Sequence, residues 1–464
     1  MDRSPLESTD ALAEALAEIV GHRGVLLDDD LRASFEEDWT GRFRGRARLV
    51  VRPADADQVA AVVACCARHG AALVPQGGNT GLVGGGVPRG GEVVLSLRRL
   101  DRLEPVDAAS GHVVAGAGVT LARLQQHAAA AGFDAGVDFA ARDSATVGGM
   151  VATDAGGTYA LRHGTVRARV AGLRAVLADG SVVERMSGVM KDNAGYALPA
   201  LIVGSEGTLA VVTAVRWRLV ARELARAVAL VPLPSLTAAG ELLARLRRTQ
   251  PGLVACDFLL DDGLALVLDH LGVASPLSRR AAAYVFVEVA GRLAPGEELA
   301  EALQQAGVAD AVLADDTSGR ARLWRLRERM SEAVAAAGVP HKLDVGVPLE
   351  RLATFAERVP AVVAAVAPAA RVLLFGHLGD GNVHVNILGV DPDDARVDEA
   401  VLRVVSACGG TISAEHGVGV AKARWLGLTR SSAEIAAMVA VKRALDPDGL
   451  LNPGVVLSGT PGSP

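Results

Sequence analysis

Lysine is almost missing from this 464-residue chain: Lys191, Lys342, Lys422 and Lys442 are the whole set, and arginine carries nearly all of the positive charge. The skew looks like a coding bias toward Ala, Arg and Gly, and it makes each lysine conspicuous. Cysteine is scarce too. Cys65, Cys66, Cys256 and Cys408 form neither a C-x-x-C pair nor a disulfide framework, so they read as small core residues in a reducing, cytoplasmic compartment. A net charge of −6 leaves no basic footprint for nucleic acid. Long apolar runs are absent: the longest candidate, Val359 to Ala370, is interrupted by Pro360 and Pro368 and closed by Arg371. The first twenty residues are acidic and lack an apolar signal-peptide stretch. A soluble protein with no integral membrane segment is the expectation.

What is present is ample core, half of the chain being apolar, and length enough for two or three domains. Residues 1–45 read as a short amphipathic helix and a charged loop. From Ala47 the pattern is βαβ: a strand in "RLVVRP", a helix capped at Asp55 and ended by Gly70, and a strand in "AALVPQGG". "EVVLSL", "HVVAGAG" and a hairpin turning on Asp179-Gly180 complete an α+β domain to about Leu219. Pro232 and Pro234 mark the crossing to a second region, where apolar strands alternate with alanine-rich helices over Ala294 to Gly307, Arg320 to Gly338 and Leu349 to Val366. That pattern suits an antiparallel sheet with helices on one face.

"FGHLGDGNVHVNI", Phe375 to Ile387, carries two histidines seven residues apart. Gly376, Gly379 and Gly381 argue against a helix, each costing roughly 1 kcal/mol against Ala in a helix interior. A hairpin with strands Arg371 to Phe375 and Val383 to Leu388 fits better, because D-G is a strong turn signal. Alternation then sends His384 and Asn386 to one face and Val383, Val385 and Ile387 to the other. Two such imidazoles are either core histidines or metal ligands lacking a third partner.

A second unusual stretch, "VPQGGNTGLVGGGVP" (Val74 to Pro88), follows a strand and is too glycine-dense for regular structure. Glycine permits positive φ and close approach of backbone N–H groups to a phosphate, yet the spacing is neither G-x-G-x-x-G nor a P-loop. Alone, it is a pyrophosphate cradle or a plain glycine turn. "DSATVGGMVATDAGG" (Asp143 to Gly157) and "KDNAGYALPALIVGSEGTLAVVT" (Lys191 to Thr213) lie in the same domain and are punctuated by glycine and small hydroxyl residues in the same way.

These three segments together resemble the FAD-binding domain of the vanillyl-alcohol oxidase/p-cresol methylhydroxylase (PCMH) superfamily, and in detail its D-2-hydroxy-acid dehydrogenase branch. The resemblance spans about Val50 to Pro453. It implies an α+β fold: a two-subdomain FAD-binding domain of the PCMH type over 46–220, after the N-terminal piece 1–45. A substrate-binding cap domain of antiparallel sheet and helices follows over 221–420, and a tail over 421–464 returns to the flavin. It implies FAD contacts from Pro75, Gln76, Gly77, Gly78, Asn79, Thr80, Gly81 and Leu82; from Asp143, Ser144, Val147, Gly148, Gly149, Thr153 and Gly156; from Glu206 and Gly207; and from Asn452. Some relatives bond the flavin covalently through a histidine in the first loop. Asn79 stands there, so FAD is expected to be non-covalent. Asp154 departs from the "ATNAGG" run usual in the family.

"GTISAEHGVG" (Gly410 to Gly419) supplies Glu415 and His416 after a short predicted strand. A carboxylate with two imidazoles gives three protein ligands with open positions, the set expected of catalytic zinc. The resemblance implies the same ligands, His377, His384 and Glu415, for a divalent metal, with zinc first and Mn2+ or Fe2+ also suited. It further implies His416 as the base and a substrate contact. Arg327, Ser331, Lys342 and Asn386 are the other implied substrate contacts, Arg327 and Ser331 being i, i+4 neighbours on one predicted helix. An imidazole is the side chain that most readily takes a proton near neutral pH.

The implied reaction is oxidation of a D-2-hydroxy acid to the 2-oxo acid, preferentially the dicarboxylate D-2-hydroxyglutarate. D-lactate or glycolate is the alternative substrate, and a non-catalytic FAD-binding accessory subunit or a metal hydrolase the alternative class. Expected partners are the small 2-hydroxy acid and an electron acceptor, whether an electron-transfer flavoprotein, a quinone or another carrier. A homodimer is allowed.

Overall fold

The computed structural model describes residues 5–291, 293–392 and 394–458. The chain forms two compact units. The first gathers Met1–Gly157, Gly164–Arg222 and His416–Pro464, and the second Thr158–His163 and Glu223–Glu415. Among the described residues, no helix is long and apolar enough to cross a membrane.

The first unit is built on two sheets. Leu49–Val51 and Leu73–Gln76 both run parallel to Val93–Ser96, as the βαβ pattern required, and Val25–Leu26 adds an antiparallel edge. The connecting helix Ala56–Arg68 starts where Asp55 accepts a hydrogen bond from the Gln58 N–H at 2.8 Å. It packs through Val59, Val62 and Val63 against Leu12 and Leu16 of the helix Pro5–Val20. The second sheet is antiparallel, in the order His112–Gly116, Val211–Arg218, Val170–Val176, Val182–Arg185. Its core surrounds fully buried Trp217, whose indole N–H donates to the Ala135 carbonyl at 2.8 Å.

The predicted N-terminal loop holds a further helix, Asp29–Glu36, because the Asp28 carboxylate accepts from the backbone N–H groups of Asp30 and Leu31. The C-terminal segment returns to the first sheet: the Leu73 N–H donates to the Leu450 carbonyl and the Asn452 N–H to the Leu73 carbonyl, both at 2.8 Å.

The second unit is one antiparallel seven-stranded sheet, ordered Val312–Ala314, Ala225–Leu233, Ala283–Gly291, Leu253–Leu260, Arg371–His377, Asn382–Leu388, His341–Gly346. Four expectations change here. Pro232 lies inside the strand Ala225–Leu233 rather than in a linker; the neighbouring edge strand covers only Val228 to Leu230, so the missing N–H of Pro232 breaks no ladder on that side. Helices cover both sheet faces, since Val285 and Val287 are buried on one side and Tyr284 and Phe286 on the other.

The predicted helix Arg320 to Gly338 is two helices, Thr317–Glu328 and Met330–Ala337, interrupted at Arg329. The predicted strand before Glu415 is a single bridge, Thr411 to Gly346, because Gly409 and Gly410 leave too little regular chain to extend it. The sequence also gave no sign that Thr158–His163 belongs to this unit. There Tyr159 stacks under the Arg226 guanidinium at 4.8 Å, and Arg162 pairs with Glu223 at 2.5 Å.

Candidate active site

In the first unit, five stretches meet around the glycine loop. A Cβ on Gly77 would lie 2.2 Å from the Thr146 hydroxyl, and one on Gly78 would lie 1.9 Å from the Ser144 carbonyl. Glycine is therefore required where the loop 75–81 seats directly on the 143–157 segment. The third stretch joins through Gly207, which packs on Pro75, and the fourth through the Val420 N–H, which donates to the Val83 carbonyl at 3.0 Å. The fifth joins through Asn452, whose Nδ2 donates to the carbonyls of Gly85 and Glu206, each at 2.8 Å.

Gln76 braces the loop from below, donating to the carbonyls of Phe35 and Gly86. Arg98 holds the carbonyls of Gly77 and Gly78, and the Asn79 side chain donates to the Glu37 carbonyl. Thr80, Gly81 and Leu82 line the same loop, none of them buried. In the second segment Asp143 and Ser144 are exposed, Gly149 and Thr153 are half-buried, and Gly156 is buried. Val147 is turned into the core and Gly148 packs on Ala117, so those two can meet a cofactor only through their backbone.

Two observations fit this region to a bound flavin dinucleotide. Asn79 and Asn452, in the first and last of the implied FAD segments, hold non-glycine backbone in the left-handed region, a strain that clusters at ligand clamps. In addition, Gln76 Oε1, Ser205 Oγ and Asn452 Oδ1 are buried without a protein partner. A buried polar atom left so costs about 1–3 kcal/mol, and a ligand with hydrogen-bonding edges removes that cost.

Asp154 has a structural role. It ends the helix Val147–Thr153 in a left-handed cap (φ +50°), and its carboxylate accepts from the backbone N–H and the Nε of Arg167, each at 2.8 Å. Arg167 then reaches the carbonyls of Ala200 and Val203. The pair thus ties the second segment to the third.

In the second unit, the sheet register gathers two of the predicted metal ligands, His377 and His384, with two predicted substrate contacts, Lys342 and Asn386. The hairpin forms as expected, with its first strand extended to His377 and its turn over residues 378–381. Lys342 pairs across strands with Asn386, and Asp344 with His384; Phe375 lies opposite His384 on the other side. Cross-strand partners share a face, so Lys342, Asp344, Phe375, His377, His384 and Asn386 stand on one side of the sheet.

The His377 and His384 rings meet edge to face, 5.5 Å apart. His377 Nδ1 lies 2.9 Å from the buried Asp257 carboxylate and His384 Nδ1 lies 3.6 Å from that of Asp344. Both Nε2 atoms then face the same oxygen, Glu415 Oε1, at 4.0 and 3.7 Å. Those separations are about 0.7 and 0.4 Å wider than the roughly 3.3 Å that a tetrahedral ion with bonds near 2.0–2.1 Å would leave.

Asp344, His384 and Glu415 also bring ligand atoms within 4.8 Å of one another. Asp344 is also engaged by protein donors. Its Oδ2 accepts the backbone N–H groups of Ala414 and Glu415, and its Oδ1 accepts the Asn382 amide at 2.5 Å. His377 thus has a carboxylate hydrogen-bonded behind it, the arrangement that orients a ligating imidazole, and the Asp344 carboxylate lies near His384.

Sequence reasoning missed Asp257 and Asp344. The available signal was one carboxylate inside each of two buried strands, in "CDFLL" and "HKLDVG". Burial works against a charged His377 imidazole, and the adjoining Asp257 outweighs it, raising the pKa to about 9. Burial likewise pushes Asp257 upward, but His377 and Arg327 together hold it below the ordinary carboxylate range.

Arg327 is buried, its guanidinium 4.9 Å from the Phe375 ring and its Nε 2.8 Å from Asp257 Oδ2, an off-axis ion pair. Ser331 is exposed on the following helix, so the two do not share one helix face as predicted. Lys342 is half-buried, which lowers its pKa, and Asn386 is buried. His416 is the first residue of the segment that belongs to the first unit.

The first unit therefore carries a built flavin cradle, and the second a converging set of imidazole and carboxylate. Residues 47–185 match the "FAD binding domain" family and residues 223–456 the "FAD linked oxidases, C-terminal domain" family. Among solved structures, p-cresol methylhydroxylase with substrate bound superposes with a TM-score of 0.76 at 15% identity, covering 97% of each chain; 4-ethylphenol oxidase from Gulosibacter chungangensis gives 0.76 at 18%, covering 99% of each. The fold is thus that of the PCMH-type FAD-linked oxidases. A probable mitochondrial D-2-hydroxyglutarate dehydrogenase of Oryza sativa subsp. japonica is 35% identical over 95% of this chain and 80% of its own. The D-2-hydroxyglutarate dehydrogenase of Xanthomonas citri pv. viticola is 36% identical over 90% and 91%. The chain belongs to the D-2-hydroxyglutarate dehydrogenase family.

Proposed function

We propose that this protein oxidises D-2-hydroxy acids to 2-oxo acids, with D-2-hydroxyglutarate preferred, using non-covalent FAD and one divalent metal ion, zinc first among the candidates. The observation that carries the reading is the pair of imidazoles, each with a carboxylate near its Nδ1 and each turning Nε2 to Glu415, on the sheet face that also presents Lys342 and Asn386.

The loops of the first unit would hold FAD, which when bound would supply a two-electron acceptor for oxidation at C2 of the substrate. His377, His384 and Glu415 would hold the metal, which as a Lewis acid makes a hydroxyl proton easier to remove. His416 takes that proton on its imidazole. Lys342 and Arg327 supply positive charge for substrate carboxylates, Arg327 while paired through its Nε with Asp257. Asn386 contributes an amide on the same face and Ser331 a hydroxyl. Asp257 and Asp344 keep the two ligand imidazoles in one tautomer and orientation. The four free, buried cysteines fit a reducing, cytoplasmic compartment.

The direct experiment is anaerobic titration of the purified yellow protein with D- and L-2-hydroxy acids, followed by flavin absorbance. Bleaching by D-2-hydroxyglutarate, weaker bleaching by D-lactate and none by L-enantiomers is expected, and acid precipitation is expected to leave FAD in the supernatant. A protein that no 2-hydroxy acid bleaches would refute the reading.

A further inference from the structure

Glu206 belongs to a cofactor segment by position, yet its side chain is committed elsewhere. It is buried, and its two carboxylate oxygens accept the consecutive backbone N–H groups of Val418 (Oε1, 2.7 Å) and Gly419 (Oε2, 2.8 Å), more than 200 residues away in sequence. The loop that offers these donors is shaped for the purpose. Gly417 and Gly419 have φ of +86° and +54°, and left-handed residues of this kind let successive N–H groups converge on one anion. A Cβ on Gly417 would lie 2.9 Å from the Glu206 carboxyl carbon, so glycine lets the loop close onto the carboxylate.

Glu206 is itself held on both sides. Its N–H donates to the Ala152 carbonyl at 2.7 Å, its carbonyl accepts from Asn452 Nδ2, and its own φ is +51°. A non-glycine residue in that strained conformation needs a reason, and a carboxylate that must reach two amides is one. His416 stands two residues before the first of those amides. Resting on the function proposed above, we propose that Glu206 is a positioning residue: its carboxylate fixes the 417–419 backbone so that the His416 imidazole keeps one place for taking the substrate's hydroxyl proton.

The chemistry makes the claim specific. Glutamine presents an NH2 donor to one of the two N–H groups and loses that bond, while aspartate keeps the charge but is one methylene too short. Glu206→Gln and Glu206→Asp, each loaded with FAD, should keep a full complement of flavin. In both, hydrogen exchange in a peptide spanning 416–421 should accelerate at least about tenfold, with the 75–81 and 143–157 peptides unchanged. In stopped-flow reduction by D-2-hydroxyglutarate, the rate constant at saturation should fall roughly tenfold or more, with KM within about twofold of wild type.

Wild-type exchange at 416–421 together with wild-type reduction in the variants would overturn the proposal and leave the functional reading standing. Loss of FAD from both variants would overturn it as well, by making Glu206 part of the cofactor's own hold. If the wild-type flavin is not reduced by any 2-hydroxy acid, the functional reading falls and takes the catalytic half of this proposal with it, while the exchange measurement still decides whether Glu206 clamps the loop.

Discussion

The flavin cradle and the proposed metal face would hold a reactive group in opposite ways. The cradle is made of loops and works mainly through backbone: Gly77 and Gly78 allow contact distances no Cβ permits, and Asn79 and Asn452 sit in left-handed conformations. The metal face is made of strands and works through side chains: two-residue periodicity and cross-strand register place Lys342, Asp344, His384 and Asn386 on one surface without strain. A loop site fails when a side chain is added, and a sheet site fails when one is removed. Mutations in the two regions should therefore break different observables.

The largest expected effect is on the metal face. His384→Ala, or exhaustive chelation, should slow substrate-dependent bleaching by about a thousandfold or more, since a Lewis-acid metal contributes several kcal/mol. Flavin absorbance should be untouched, and an unchanged rate in verified metal-free protein would show that the metal takes no part in the reaction. The reciprocal test is Gly78→Ala, whose Cβ would collide with the Ser144 carbonyl at 1.9 Å. FAD affinity should fall about a hundredfold, equivalent to roughly 3 kcal/mol, while metal content stays full. Loss of both together would deny that the two sites are built independently.

Asp344→Asn sharpens the distinction between ligand and orienting group. Loss of an orienting carboxylate typically costs about 10–100-fold in metal affinity, and a stoichiometric metal at raised Kd is the expected result. Complete loss of binding would make Asp344 a ligand.

The raised pKa of His377 adds a pH test with a definite sign. The proton on His377 competes with the metal, so affinity should rise by up to about tenfold per pH unit and level off above about 9. In the metal-free protein the same group runs the other way. Its contribution to stability is full below its unfolded value of about 6.5 and is lost as pH climbs through about 9. Metal titrations and thermal melts at several pH values check both limbs.

The smallest effect concerns the substrate. D-2-hydroxyglutarate should exceed D-lactate in kcat/KM by about tenfold or more, one charge-assisted contact being worth roughly 1.5–3 kcal/mol. Arg327→Met should reduce the diacid reaction more than the lactate one. Equal losses would assign Arg327 to the carboxylate shared by all 2-hydroxy acids, or to its pairing with Asp257.

Much of this was legible from residues in order along the chain. The βαβ start, the 371–388 hairpin and the glycine loop rest on local rules, namely turn chemistry, strand alternation and the glycine needed for close approach, whereas the triad His377, His384, Glu415 was an expectation from its ligand types and the family resemblance. The excursion of Thr158–His163 into the second unit was not legible, because it depends on partners far away in the chain, Arg226 and Glu223, and neither was the helix break at Arg329. Asp257 and Asp344 looked like ordinary strand residues until register put them behind the two imidazoles. Glu206 looked like a cofactor contact until folding turned its carboxylate toward Val418 and Gly419. The order of residues by itself determined which chemistries the chain carries, since side-chain type and local conformational preference are properties of short segments. Which groups support which was decided only by tertiary structure, because a hydrogen bond or ion pair acts over about 3 Å in space and is indifferent to separation along the chain.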